Sequence, residues 1–99
     1  MMSKYVKIKQ ELDVLVDVVS SYYSISTNDV FESNREDCVN ARYITIYIMC
    51  EKHTDAEIAY VSQLSKSVVN KIRNNFRQKE SNYSFKEDFN AIILALSKK

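Results

Sequence analysis

The chain contains no glycine and no proline in 99 residues. Without glycine, no residue reaches left-handed backbone geometry free of cost, and without proline none has its φ preset for a turn. Tight β-hairpins lean on both, so an all-β fold is disfavoured. Asn, Asp and Ser must make the turns, and the expected class is all-α, with five to six helices. The same absence excludes the Gly-rich loops that cradle phosphates, of either the Walker A or the dinucleotide type. Apolar residues form 45% of the chain, too many for disorder. Its length suits one domain spanning residues 1–99.

Cys38 and Cys50 are the only cysteines, and His53 is the only histidine. Two cysteines do not make a disulfide framework, and they read as free, buried thiols in a reducing compartment. With His53 they fall short of the four ligands of a structural zinc site, so no metal and no cofactor is expected. No run approaches the roughly 18 apolar residues of a membrane span. The opening Met-Met-Ser-Lys-Tyr carries charge and no secretory apolar region, which predicts a soluble, cytoplasmic protein with no membrane partner.

Apolar spacing places the helices. Ile8, Leu12, Leu15 or Val16, and Val19 share one face of a helix over 5–21. A break at 22–26 precedes a short capped turn at 27–31, with Ser26 or Thr27 as N-cap. Residues 32–35 form a polar loop. A helix from about Asp37 to Lys52 is apolar nearly all round, through Val39, Tyr43, Ile44, Ile46, Tyr47, Ile48 and Met49 or Cys50, and should be central. Thr54 and Glu57 form a capping box that opens a short helix to about Val61. Residues 62–65 are a turn, and another helix runs from about Lys66 to Gln78. Ser84 and Glu87 read as a second capping box. It would open a last helix to about Leu96, with Phe85, Phe89, Ile92, Ile93 and Leu96 as its stripe.

The formal net charge of +1 hides a gradient. Residues 1–61 carry six basic and ten acidic groups, and residues 62–99 carry eight basic and three acidic. The basic groups are densest from Lys66 to Lys79, and no carboxylate lies between Glu57 and Glu80. A polyanion suits such a stretch, although charge alone leaves a solvated helix face equally open.

Residues 54–72, TDAEIAYVSQLSKSVVNKI, carry the pattern of a DNA-binding helix-turn-helix. Ala59 is the small residue where two helices cross, Ile58 is buried beside it, and Leu64 plugs the turn. Val69, Ile72 and Phe76 anchor the second helix. Gln63 stands where such turns usually carry glycine, at a cost of about 1 kcal/mol or more if the geometry is left-handed. With the anchors inward, a 100° step turns Ser67, Asn70, Lys71 and Asn74 outward, flanked by Lys66, Arg73 and Arg77. Asn suits adenine edges, Lys suits guanine, and Ser suits phosphate or base. Lys66 and Ser67 also sit where the free amides of a helix N-terminus favour phosphate.

Three further stretches carry a family resemblance. Val19-Ser-Ser-Tyr-Tyr-Ser-Ile-Ser-Thr-Asn-Asp-Val-Phe31, followed by Arg35 and Val39, is one. Arg42-Tyr-Ile-Thr-Ile-Tyr-Ile48, followed by Glu51 and Thr54, is another, and Lys86-Glu-Asp-Phe89 is the third. In order and spacing, over about residues 5–97, the chain resembles the C-terminal DNA-binding domain of the bacterial replication initiator DnaA. The resemblance implies a Trp-repressor-like helical domain that reads double-stranded DNA. Its second motif helix would enter the major groove, and a basic-loop arginine, matched by Arg35, would reach the minor groove.

Departures from the family pattern imply altered or relaxed specificity. Glu32, Glu36 and Asp37 surround Arg35 where the family has basic residues. The Gly-Gly of the turn is missing. Ser65-Lys66-Ser67-Val68-Val69 replaces the family's Asp-His-Thr-Thr-Val signature. The ATPase part is also missing, which fits a stand-alone relative from a phage or mobile element, or an accessory factor.

The expected DNA-binding residues are therefore Arg35, Lys66, Ser67, Asn70, Lys71, Arg73, Asn74 and Arg77. The alternative is a protein-interaction module that kept the fold and lost DNA binding, with a replication protein as partner. Tyr5, Tyr22, Tyr23, Tyr47, Tyr60 and Tyr83 would then supply contacts, where otherwise they pack at the core edge. An enzyme is not expected, because no acid–base pair and no small-molecule site can be named. His53 reads as a partner of the preceding helix's C-terminal dipole.

Overall fold

The structure, a computed structural model, describes residues 3–98 and is all-helical. Met1, Met2 and Lys99, which enter the reading of the N-terminus and of the basic half, lie outside the described residues. The helices are α1 (Lys4–Tyr23), α2 (Thr27–Glu32), α3 (Glu36–Cys50), α4 (Asp55–Ser62), α5 (Lys66–Glu80) and α6 (Tyr83–Ser97).

Serine takes over the work of the missing glycine at the end of α1. Ser24 adopts φ 57°, ψ 45°, and its N–H donates to the Ser21 carbonyl. The N–H of Ile25 reaches back to the Ser20 carbonyl at 3.0 Å. These two bonds make a Schellman ending, in which orphan carbonyls are satisfied and the following apolar residue folds back. Ile25 does pack against the core. Ser26 then caps α2, accepting from the Asp29 N–H at 3.2 Å.

Helix α3 is the central element, as its all-round apolar character predicts, and it packs against α1, α2, α4 and α5. Cys38, Ala41, Ile44, Thr45, Ile46 and Met49 are buried along it. Thr45 satisfies its hydroxyl by donating to the Ala41 carbonyl at 2.8 Å, as a buried polar group must. Arg42 donates to the carbonyls of Val30 (2.8 Å) and Ser33 (2.6 Å), which pins the end of α2 onto α3.

One core cluster draws on all six helices, through Ile8, Leu12, Leu15, Val16 and Val19 of α1 to Phe85 and Ile92 of α6. Helix α6 begins earlier than the Ser84–Glu87 pattern suggests. Asn82 is its N-cap, accepting from the Phe85 N–H at 3.1 Å, and Ser84 lies inside the helix. Asn caps as well as Ser does, and Phe85, whose N–H it takes, is buried. Ile93, assigned to the apolar stripe, is exposed. The hydroxyls of Tyr22 and Tyr23 both donate to Asp88, at 2.8 and 3.0 Å, and tie the end of α1 to the start of α6. Burial, with the Asp88 carboxylate behind it, pushes the Tyr23 hydroxyl well above its ordinary pKa.

Candidate nucleic-acid interface

Helix α4 opens with both halves of the expected capping box. The Thr54 hydroxyl accepts from the Glu57 N–H at 3.2 Å, and the Glu57 carboxylate accepts from the Thr54 N–H at 2.9 Å. That backbone hydrogen bond, helped by Lys4 at 3.1 Å, holds the Glu57 carboxyl below its ordinary range. Gln63 ends α4 at φ 63°, ψ 13°, with its N–H on the Ala59 carbonyl at 2.9 Å. This is the left-handed ending that glycine would otherwise make. Leu64 then turns against the core, and Ser65 caps α5 through the Val68 N–H at 3.1 Å.

Helix α5 divides as its sequence predicts. Val69, Ile72 and Phe76 are buried, and the Phe76 ring lies against Tyr47, Phe85 and Phe89. On the outside, Lys66, Ser67, Lys71, Arg73, Asn74 and Arg77 are exposed, and Asn70 is half-buried. Gln78, which the sequence reading left out, is also exposed, and it continues the row Ser67, Lys71, Asn74 at helical spacing.

Two members of this face are engaged from a neighbouring helix. Asp55, in the first turn of α4, accepts on Oδ2 from Asn70 Nδ2 at 3.2 Å and from Arg73 Nη2 at 3.0 Å. Asn70 Oδ1 in turn accepts from Asn74 Nδ2 at 3.0 Å. The Asp55 side chain is 11% exposed, and its Oδ1 is buried with no partner. No sequence signal links residue 55 to residues 70 and 73, because the contact depends on how α4 crosses α5. Close by, Cys50 is half-buried. Burial pushes its thiol pKa up, Asp55 adds to the shift, and Arg73 opposes it.

Lys79, counted in the basic stretch, turns away from the face. Its Nζ donates to Asn40 Oδ1 at 2.6 Å and lies 5.1 and 5.2 Å from the ring centres of Tyr43 and Phe85. It fastens the end of α5 to α3 as a cation–π contact. Arg35 is exposed at the start of α3, with its guanidinium 3.4 Å from Asp37 and 3.5 Å from Cys38 Sγ. Desolvation acts upward on the Asp37 carboxyl. Hydrogen bonds from Cys38 and the Arg35 charge outweigh it and hold the group low.

His53 is more than a dipole partner. Its Nε2 lies 2.6 Å from Glu11 Oε2 and joins the α3–α4 junction to α1. Among the described residues no group of three His, Cys, Asp or Glu is placed to hold a metal, and no helix is long and apolar enough to cross a membrane. Compared with known proteins, the chain matches no family model, no curated protein and no solved structure.

Proposed function

We propose that the chain is a double-stranded-DNA-binding module of the helix-turn-helix type, with α5 as the helix that enters the major groove. The observation that carries this reading is the division of α5. Three anchors are buried, while Lys66, Ser67, Lys71 and Asn74 stand in solvent on a helix with no carboxylate before Glu80. In this reading Lys71 and Asn74 meet base edges, and Lys66, Ser67 and Arg77 meet phosphates. Arg73 and Asn70 contribute from within the Asp55 network. Arg35, exposed and 3.4 Å from Asp37, is the arginine that would reach the minor groove.

The initiator-domain resemblance supports the same reading, as a divergent stand-alone relative from a phage or mobile element with altered or relaxed specificity. The proposed module is not an enzyme and works without a cofactor or small-molecule substrate.

The second reading, a protein-interaction module facing a replication protein, draws on one observation. The Tyr60 ring lies tilted against that of Tyr5 with centres 4.5 Å apart, yet remains 68% exposed. Fluorescence anisotropy with a random-sequence duplex, from roughly 50 to 300 mM salt, separates the two. A steep loss of affinity with salt, removed by Lys66→Ala with Lys71→Ala, is the DNA outcome. No binding at the lowest salt overturns it and favours the protein partner.

A further inference from the structure

The geometry points to Asp55 as a positioning residue that decides which chemical group Asn74 offers to a base, an inference that rests on α5 being the DNA-reading helix. An Asn side chain is ambiguous as a reader, because its amide can turn over and exchange donor for acceptor. Here the ambiguity is removed by a relay that starts at a carboxylate. Asp55 can only accept, so Asn70 must turn its NH2 towards it, at 3.2 Å. The Asn70 carbonyl then faces away from Asp55 and towards Asn74. Asn74 must therefore present its own NH2 to Asn70, at 3.0 Å. One amide hydrogen of Asn74 is taken, and its Oδ1 and second N–H remain for a partner.

A donor and an acceptor side by side are the pair that matches the N7 and N6 of adenine in the major groove. Exposed Asn74 keeps that pair available. Half-buried Asn70, with its carbonyl and one hydrogen engaged, does not. Adenine is thus the base assigned to Asn74, and Asn70 acts through Asn74 rather than on a base.

The negative end of the relay is well held. Asp55 is the first residue of α4, where the helix dipole favours a carboxylate, and Arg73 shares its Oδ2 at 3.0 Å. A carboxylate so placed does not exchange roles as an amide would. Replacing it by Ala removes the acceptor that Asn70 and Arg73 share, and nothing then prevents the whole relay from turning over and presenting Asn74 in either sense.

The test uses the full chain and a duplex library randomised across the site, with the bound fraction sequenced. The unsubstituted protein is expected to enrich adenine at one position, which Asn74→Ala identifies by erasing it. Asp55→Ala is expected to lose that preference about tenfold while binding random duplex at least as well, since a negative charge has left the face. Asn70→Ala, which cuts the relay but leaves Asp55 with Arg73, is expected to lose it equally, and circular dichroism confirms that both variants fold. An unchanged adenine preference in Asp55→Ala overturns the inference and leaves the DNA reading standing. An unsubstituted chain that binds no duplex overturns both, and that failure is recognised because it needs no variant. A readout without DNA is the side-chain amide NMR of Asn70 and Asn74. Their NH2 signals are expected to shift together in Asp55→Ala, and an unmoved Asn74 signal overturns the relay.

Discussion

The ring of Tyr47 on α3 lies flat on that of Phe76 on α5, with centres 3.7 Å apart and planes within 8° of parallel. Phe76 is fully buried and also meets Phe85 and Phe89 edge-on. This cluster is what seats α5, and so sets how far its polar face stands from the core. Phe76→Ala removes a ring at which three helices meet and should cost about 3–5 kcal/mol. That is a large part of the about 5–15 kcal/mol expected of a small domain. Tyr47→Leu keeps apolar volume but loses the stack, and should cost about 1 kcal/mol. Urea denaturation of the two variants checks the order.

Gln63 holds a left-handed conformation with a side chain that disfavours it. Gln63→Gly relieves that strain, although it also loosens the unfolded chain. A net gain of about 0.5–1 kcal/mol is expected, seen as a higher thermal midpoint. Gln63→Val should lower the midpoint, because a β-branched residue fits positive φ worse still.

Acid should undo the start of α4. The folded Glu57 carboxyl is held below its ordinary value of 4.5, first by the Thr54 N–H and then by Lys4. A depressed folded pKa adds stability that is fully present above the unfolded value and is lost as pH falls through the folded one. Thermal midpoints between roughly pH 6 and 3 should therefore fall below pH 4.5 in the unsubstituted chain. Glu57→Gln, which keeps a capping side chain without the titration, should show a shallower decline.

Lys71 and Lys98 are both exposed lysines, but only Lys71 lies on the outward row of α5. Lys71→Ala should weaken binding to random duplex about fivefold or more and reduce the salt slope by about one. Lys98→Ala should leave both within error. Equal effects from the two would remove α5 from the interface.

The two thiols should differ in the folded protein. Cys38 is wholly buried, while Cys50 is half-buried with its pKa pushed above 9.0 by that burial. Little Cys50 thiolate exists at neutral pH and Cys38 is shielded from reagent, so both should alkylate slowly, Cys50 before Cys38. In urea the difference should vanish, which mass spectrometry after timed alkylation can follow.

Local signals placed most of the architecture. Ile8, Leu12, Leu15, Val16 and Val19 turn inward as their spacing says, because helical period alone decides which residues share a face. Thr54 and Glu57 make their capping box because both partners lie within one turn. Where two local patterns competed, the reading failed: Ser84 and Glu87 have the same spacing, yet Asn82 takes the cap.

The sequence by itself determined an all-helical chain, the α4–turn–α5 pairing and the inward anchors of α5, since each depends on neighbours a few residues apart. Only the tertiary structure decided which outward residues are free. Asp55 reaches Asn70 and Arg73, Lys79 folds onto Tyr43 and Phe85, and His53 meets Glu11. Each of these pairs joins parts of the chain that lie on different elements, and their meeting depends on the distance and angle at which the helices pack. Packing of the whole core sets those quantities, and no periodicity in one segment encodes them.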